Sequence, residues 1–195
     1  MISAIVLAAG LAKRFGSPKV LATYQRKPLV RHVVEALSTP DVADIVVVVR
    51  RPKTPYIKAL ASTRARVVVN EDPATGMSTS LHTALQALNP ATEAVLIALG
   101  DQPLIEPSVV ESLIHEWQRS RSCIVAPLYR EERGHPVLFD ASVFPELLRV
   151  RGDQGARAVV DRDPERVCLL ALDRDAPRDV DTQADLLALR RTQVH

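Results

Sequence analysis

The residues that could carry chemistry begin just after the first predicted strand. Residues 7–19 read LAAGLAKRFGSPK, a small-residue turn followed by Arg14 and Lys19. Backbone N–H groups at such a turn can form a concavity that binds anions. The two cations would neutralise a polyphosphate, arginine through its planar fork and lysine as a point charge. The glycine spacing fits neither a P-loop nor a dinucleotide fingerprint. The alternative is a plain strand-to-helix turn with solvated basic residues.

A carboxylate follows another strongly apolar run. Asp101 comes just after residues 95–99, in the sequence Gly-Asp-Gln-Pro. Magnesium prefers hard oxygen ligands and usually takes one or two carboxylates together with phosphate oxygens of the substrate. Asp101 is therefore a candidate magnesium ligand. The alternative is a turn aspartate that accepts hydrogen bonds from its own backbone.

A third polar segment, residues 70–81, joins the end of a predicted strand to a probable helix start. It contains Asn70, Gly76 and the three hydroxyls of residues 78–80. Backbone amides and hydroxyls in this setting can hold a phosphate or read the edge of a base. Ser78 has a simpler interpretation as a helix N-cap.

Two loops further along the chain add polar groups. His135 could carry a proton near neutral pH, although a lone histidine beside a proline is more often a structural turn residue. Asp153 and Arg157 lie in the stretch Gly-Asp-Gln-Gly-Ala-Arg. Each of these signals is weak by itself.

The C-terminal part contains a helix start and two aspartates ahead of it. Thr182 and Asp185 have the spacing of a capping box and predict a terminal helix. Asp181 is a candidate second magnesium ligand, or only the residue that precedes this cap. Asp179 is expected to be a solvated charge.

Other reaction types lack their motifs. No short histidine cluster suggests zinc, and Cys123 and Cys168 lie far apart without metal-binding spacing. A Gly-x-Ser-x-Gly elbow is absent. An anion-binding loop with two cations and a metal-type carboxylate suits phosphoryl or nucleotidyl transfer, where catalysis is mainly positioning and charge neutralisation.

Composition narrows the class of protein. The 195 residues carry a net charge of +2, with 25 basic and 23 acidic residues scattered along the chain. This balance favours neither a nucleic acid nor an anionic membrane as partner. No apolar run approaches the roughly 20 residues of a bilayer span, and the basic residues near the N-terminus follow the apolar run instead of preceding it, unlike a signal peptide. With cysteines in apolar runs as free thiols, we expect a soluble cytoplasmic protein.

The elements that position these residues follow from apolar patterning. Short runs rich in β-branched residues predict strands covered on both faces, as in parallel sheets; they are residues 5–7, 45–49, 67–69, 95–99 and 124–125. Apolar stripes of helical spacing lie between them. The alternation predicts an α/β fold with a doubly wound, mostly parallel sheet, whose ligands bind at the carboxyl ends of the strands.

We expect one domain over residues 1–195, with no repeat or linker that would divide it. Residues 107–119 are predicted to form a helix, because Ser108 and Glu111 also have capping-box spacing. The chain after Tyr129 is less regular and is expected to form a lobe, residues 129–180, that covers the sheet edge.

In their order along the chain, these motifs resemble the MobA-like nucleotidyltransferases, and among them the molybdenum cofactor cytidylyltransferases. The similarity spans nearly the whole chain. It comprises residues 7–19, 76–81, 100–103, 134–136, 152–157 and 181–182.

The resemblance implies a Rossmann-like, three-layer α/β/α fold and transfer of a nucleoside monophosphate from a nucleoside triphosphate, with release of pyrophosphate. Arg14, Lys19 and Asp101 would be the catalytic residues. Nucleotide binding is assigned to Leu7, Ala8, Ala9, Gly10, Arg14, Lys19, Asn70, Gly76, Ser80 and Asp101. Mg²⁺ would be held by Asp101 and Asp181. The acceptor, the terminal phosphate of molybdopterin, would be oriented by His135, Asp153 and Arg157.

Base choice depends on one position. Guanylyltransferases of this family usually carry a second glycine in the loop, whereas this sequence has Ala9, as cytidylyl members do. The predicted reaction is therefore CMP transfer from CTP to molybdopterin, serving a molybdenum hydroxylase. The alternatives are GTP as donor, a sugar or polyol phosphate as acceptor, a non-catalytic chaperone of the molybdenum cofactor, and a flavodoxin-like binding module.

Overall fold

Strands and helices alternate along residues 1–12 and 14–191, which the computed structural model describes. The strands are β1 (Ile2–Leu7), β2 (Thr23–Tyr24), β3 (Lys27–Pro28), β4 (Val42–Val49), β5 (Ala65–Val69), β6 (Ala94–Leu99), β7 (Ile124–Tyr129), β8 (Glu132–Arg133), β9 (Val137–Asp140) and β10 (Val167–Leu172). The α-helices are α1 (Leu29–Leu37), α2 (Thr54–Ala59), α3 (Met77–Gln86), α4 (Pro107–Ser120), α5 (Phe144–Leu147), α6 (Arg157–Arg162) and α7 (Gln183–Arg191). Single 3₁₀ turns occupy Lys19–Leu21, Pro73–Thr75, Ala141–Val143 and Pro164–Arg166.

Most of the strands form one mixed sheet, in the order β10-β7-β9-β6-β1-β4-β5, with β8 paired to β7 outside this path. β1 runs parallel to its neighbours β4 and β6, and β5 runs parallel to β4. β10 runs parallel to β7. All five apolar runs predicted as strands lie within this sheet, and the mostly parallel α/β fold is confirmed.

Helices cover both faces of the sheet because successive strand residues point to opposite sides. In β1, Ala4 and Val6 belong to one apolar core with residues of α1, α2 and α4, whereas Ile5 belongs to a second core with residues of α3, α5 and α6. Residues 45–49 of β4 are fully buried, which explains why that run is continuously apolar and does not alternate. The result is the expected three-layer arrangement.

Residues 129–180 complete the main sheet instead of covering its edge. β9 runs antiparallel between β6 and β7, where Leu138 lies opposite both Leu96 and Val125. Val137, Leu138 and Phe139 are all buried, so this strand requires a neighbour on each side and a helix layer on each face. β10 then forms the edge. The acceptor-binding role of this region stays a prediction.

Two helices begin where the sequence predicted, at Pro107 and just after Thr182, whereas two predicted caps are absent. The predicted capping box before α7 is present, since the Thr182 amide donates to Asp185 Oδ2 at 2.7 Å and the Asp185 amide donates to Thr182 Oγ1 at 3.2 Å. The helix predicted over residues 107–119 is present as α4, but its expected cap at Ser108 is wrong, because α4 begins at Pro107, whose fixed φ suits the first helical position. Ser78 is not a cap either, since α3 begins directly after Gly76.

Two further expectations concern the thiols and membrane segments. Cys123 and Cys168 are free and partly buried, and Cys168 Sγ lies 3.2 Å from Glu116 Oε1 as a hydrogen-bond donor. Within the described residues, no helix combines the length and the apolarity needed to cross a bilayer.

Candidate active site

A cavity of about 420 Å³ opens at the carboxyl ends of β1 and β6, beside the start of α3. Ligands of open α/β sheets bind at this edge. Of the residues predicted from the sequence, those that line the cavity are Leu7, Ala8, Ala9, Gly10, Lys19, Gly76, Ser80, Asp101 and Asp153. Arg14, Asn70, His135, Arg157 and Asp181 do not line it. A second cavity of about 410 Å³ is lined in part by residues 174–180, and none of the predicted site residues lines it.

Lys19 joins the two predicted magnesium ligands. Its Nζ lies 2.5 Å from Asp101 Oδ2 and 2.6 Å from Asp181 Oδ1. The side chains of Lys19 and Asp101 are 16% and 15% exposed, whereas that of Asp181 is 46% exposed. Burial by itself would lower the pKa of Lys19, but the charges and hydrogen bonds of the two carboxylates outweigh it and raise that pKa. Lys19 is therefore a charged ammonium ion that pairs with two carboxylates 80 positions apart in the sequence.

The second oxygen of Asp101 is an open ligand position. Asp101 Oδ1 is buried and accepts no hydrogen bond in the described part of the chain. An unpartnered buried carboxylate oxygen is costly, and a hard divalent cation would satisfy it. The described residues contain no group of three or more His, Cys, Asp or Glu side chains that could hold a metal. The site thus fits a hard divalent cation that would be held by one or two carboxylates and completed by oxygens of a substrate.

The loop after β1 offers fewer free amides than the sequence suggested. The Ala8 amide donates to Val48 O at 2.8 Å and continues the parallel ladder with β4. The amides of Ala9 and Gly10 donate to no acceptor within the described residues. Arg14 is exposed, and its side chain forms no hydrogen bond or ion pair in that part of the chain. A nucleotide phosphate would therefore meet two loop amides and Lys19, with Arg14 free to approach from solvent.

Asn70 has a structural role that the sequence did not show. Its Nδ2 donates to Thr79 Oγ1 at 2.8 Å and to Ser80 Oγ at 2.9 Å, and its Oδ1 accepts from the Asp72 amide at 3.0 Å. Because Asn70 is 2% exposed and its polar atoms are engaged, it holds the start of α3. Ser80 lines the cavity and accepts from Asn70, so its hydroxyl hydrogen is available to a ligand.

His135 and Arg157 line a smaller cavity of about 70 Å³, which shares no lining residue with the main one. Burial lowers the pKa of His135, the charge of Asp101 partly offsets this effect, and the charge of Arg157 adds to it. His135 is thus mainly neutral near pH 7. Arg157 donates from Nε to Asp161 Oδ2 at 3.3 Å. The predicted acceptor residues are consequently divided, with Asp153 in the main cavity and the other two in the smaller one.

Asp179 is a site residue that sequence reasoning missed. Its Oδ1 accepts from Gln102 Nε2 at 2.7 Å, so it is not simply a solvated charge. Partial desolvation raises the pKa of Asp179, and the negative charge of Asp101 raises it further. The Val180 amide donates to Asp101 O at 3.1 Å, and the Val180 side chain is buried. Asp179 lines the second cavity and not the main one, so it reaches the neighbourhood of Asp101 through Gln102; the alternation Asp-Val-Asp around buried Val180 was the signal that both aspartates lie outside the core.

A lysine and a metal-type carboxylate thus line a cavity at the strand ends of an α/β sheet, an arrangement that suits a nucleotidyltransferase. Residues 4–167 match the MobA-like NTP transferase domain, and the chain belongs to that family.

Known relatives cover nearly the whole chain. It is 31% identical over 196 residues, 96% of each chain, to the nicotine blue oxidoreductase of Paenarthrobacter nicotinovorans. A probable molybdenum cofactor guanylyltransferase of Thermococcus sibiricus is 28% identical over 65% of this chain and 61% of its own. The crystal structure of Rv0371c from Mycobacterium tuberculosis H37Rv superposes with a TM-score of 0.84, at 30% identity and with 97% of each chain covered. A second structure of Rv0371c contains manganese; it has a TM-score of 0.84 at 29% identity and covers 98% of each chain.

Proposed function

We propose that the protein transfers CMP from CTP to the terminal phosphate of molybdopterin, releases pyrophosphate and requires Mg²⁺. The observation that carries the proposal is the contact of Lys19 with Asp101 and Asp181 at the end of a nucleotide-sized cavity. Nucleotidyl transfer needs cations for the phosphates and carboxylates for a metal, and this cluster supplies both.

The reaction would join an oxygen of the acceptor phosphate to the α-phosphorus of CTP. The bond from that phosphorus to the β-phosphate oxygen breaks, and pyrophosphate leaves with the electron pair. Lys19 and Arg14 would neutralise the phosphate oxygens, while the amides of Ala9 and Gly10 donate to them. Asp101 and Asp181 would hold Mg²⁺, which supplies Lewis-acid polarisation of the phosphate oxygens when bound. The manganese complex of Rv0371c supports dependence on a divalent cation.

The acceptor would approach from the side of the smaller cavity. Asp153 lines the main cavity, and His135 and Arg157 line the smaller one. An arginine there suits a phosphate because its planar fork matches the phosphate oxygens. A neutral imidazole can donate one hydrogen bond and accept another, so His135 can orient the acceptor without adding charge. The similarity to a probable molybdenum cofactor guanylyltransferase supports an acceptor of the molybdenum cofactor type. The enzyme served would be a molybdenum hydroxylase.

Ala9 supports CTP over GTP. Its side chain is 3% exposed, packs in the second apolar core and borders the cavity. The proposed preference is that alanine at this position leaves less space for a base than glycine would. One methyl group discriminates by only about 1–3 kcal/mol. GTP therefore remains the alternative donor, and a sugar or polyol phosphate the alternative acceptor.

An oxidoreductase is the second candidate, because the nicotine blue oxidoreductase matches 96% of the chain. Hydride transfer has no need of a lysine between two carboxylates or of an open carboxylate oxygen. Nucleotidyl transfer uses both features, which is why it is preferred.

The test is pyrophosphate release with CTP or GTP, each combined with molybdopterin or with a panel of sugar and polyol phosphates, in the presence of Mg²⁺. We expect pyrophosphate release only from the combination of CTP with molybdopterin. Asp101→Asn keeps the shape of the side chain and should abolish release. The control is Asp175→Asn, which changes a carboxylate paired with Arg130 outside the cavity and should leave release unchanged.

Three other outcomes would redirect the assignment. Release with another acceptor would keep the chemistry and change the substrate. Tight molybdopterin binding without release would favour the non-catalytic chaperone. Reduction of an aromatic substrate by a nicotinamide cofactor, without pyrophosphate release under any condition, would favour the oxidoreductase.

A further inference from the structure

We propose that, before nucleotide binds, the Lys19 ammonium group occupies the divalent cation's place between Asp101 and Asp181, so that the cation and the triphosphate each strengthen the binding of the other. The proposal rests on the proposed function only in taking this cluster as the site of a metal and a triphosphate. It assigns Lys19 a second task besides contact with phosphate, because in the free protein the lysine blocks the metal.

The contacts of Lys19 are those of a ligated cation. Its Nζ lies 2.5 and 2.6 Å from one oxygen of each carboxylate. Magnesium binds oxygen at about 2.1 Å. An ion at the position of Nζ would therefore require the same two oxygens to move closer to it by only a few tenths of an ångström. A metal and the ammonium group cannot both lie there, because they would share the same ligands and repel each other.

Two different elements hold the carboxylates in place, the end of β6 for Asp101 and the start of α7 for Asp181. Asp101 follows β6 and is held close to β1, because the Gly100 amide donates to Leu7 O at 3.0 Å. Asp181 is held by the capping box, since its amide donates to Asp185 Oδ2 at 3.1 Å. Asp101 Oδ1 remains buried without a partner, so Lys19 satisfies only half of this carboxylate. A divalent ion that reaches both oxygens would complete it.

Only the side chain of Lys19 has to move. Its backbone begins the 3₁₀ turn Lys19–Leu21, and its carbonyl accepts from the Ala22 amide at 2.9 Å. Four rotatable methylenes let a lysine ammonium change partners while its Cα stays in place. The cavity that Lys19 lines is the proposed triphosphate site. Phosphate oxygens there would draw the ammonium group away and free both carboxylates for the cation.

This exchange makes metal and nucleotide binding mutually dependent. The nucleotide raises the affinity for the metal because it removes Lys19 from the carboxylates, and by linkage the metal raises the affinity for the nucleotide by the same factor. Without nucleotide the metal must compete with an ammonium group that is already in place. The free enzyme is then protected from divalent cations that would otherwise occupy the site without a substrate.

The experiment measures binding of Mn²⁺ to the nucleotide-free protein through the loss of the free-ion electron paramagnetic resonance signal. Lys19→Met keeps the length of the chain and removes its charge. We expect it to bind Mn²⁺ at least about tenfold more tightly than the wild type, a factor within the usual range of coupling between sites. The control Lys27→Met removes a lysine that is paired with Glu35 outside the cavity and should not change the affinity. Adding Asp181→Asn to Lys19→Met should abolish most of the gain.

A second arm uses the wild type alone and covers the case in which the Lys19 variants do not fold. A non-hydrolysable CTP analogue should raise Mn²⁺ affinity, and Mn²⁺ should raise analogue affinity by an equal factor. Unchanged or weaker Mn²⁺ binding in folded Lys19→Met, or independent binding of the two ligands to the wild type, overturns the proposal. Since the first arm uses neither CTP nor turnover, a gain there with no pyrophosphate release would reject the proposed function and keep the exchange. Pyrophosphate release by the wild type, with no gain in Mn²⁺ affinity in Lys19→Met, would keep the proposed function and reject the exchange.

Discussion

Gly76 lies directly against the backbone of Gly152. A Cβ atom on Gly76 would come within 2.4 Å of the carbonyl carbon and oxygen of Gly152, and Gly76 has a φ of +127°. Two residues later, the Ser78 amide donates to Gly152 O at 3.0 Å. The start of α3, on the nucleotide side of the cavity, is thereby joined to the loop that carries Asp153.

Gly76→Ala should destabilise the protein, because the methyl group must displace this backbone and the φ is strained for any other residue. We expect a loss of about 1–3 kcal/mol in the free energy of unfolding and a fall in pyrophosphate release as Asp153 moves. Chemical denaturation measures the first effect. The control Gly10→Ala adds a methyl group with no atom within 4 Å and should retain its stability. Equal stability of the two variants would contradict the close contact.

Asn70→Ala should lower both stability and nucleotide affinity, since Asn70 connects the end of β5 to Thr79 and Ser80. Leaving these buried groups without partners costs about 1–3 kcal/mol, and the Ser80 hydroxyl loses its fixed orientation. Denaturation and titration with a CTP analogue measure the two effects. Asn89→Ala is the matched control, because Asn89 accepts from the Ala91 amide in an exposed turn only. If both variants bind the analogue alike, Asn70 does not organise the site.

Thr182→Ala should cost about 1 kcal/mol, because it removes the side-chain oxygen that caps α7. The change also loosens the segment that holds Asp181, so we expect weaker binding of Mn²⁺ in the presence of nucleotide. Thr182→Ser retains the hydroxyl and should restore both properties. Thermal unfolding and Mn²⁺ titration are the measurements. A serine variant as impaired as the alanine variant would show that the methyl group, and not the cap, matters.

Stability should fall on acidification, in part because of His135. Burial lowers the pKa of His135 in the folded protein, so between that pKa and about 6.5 the unfolded state binds more protons than the folded state. The free energy of unfolding therefore rises with pH in this window. The contribution of His135 to it decreases as the pH falls below about 6.5. His135→Gln should show a smaller loss between about pH 7.5 and pH 5.5 in parallel denaturation experiments. Equal losses in the two proteins would place the pH dependence elsewhere.

The sequence by itself determined the parts of the protein that depend on local pattern. Continuous apolar runs such as residues 45–49 specified buried parallel strands, and the Thr182 capping box specified where α7 begins. Strand-end positions also predicted that Lys19 and Asp101 lie at one edge, because parallel strands present their carboxyl ends together. Family membership followed from the same ordered motifs.

Only the tertiary structure decided the contacts between distant segments. Nothing local to residues 137–140 shows that they enter the sheet between β6 and β7, since strand order is set by the packing of the whole core. Asp179 looked like a solvated charge because its partner Gln102 is 77 positions away. Likewise, a lysine's partners depend on where folding brings carboxylates within reach of a flexible side chain. The sequence therefore named Lys19, Asp101 and Asp181 one by one, and the fold placed the first between the other two.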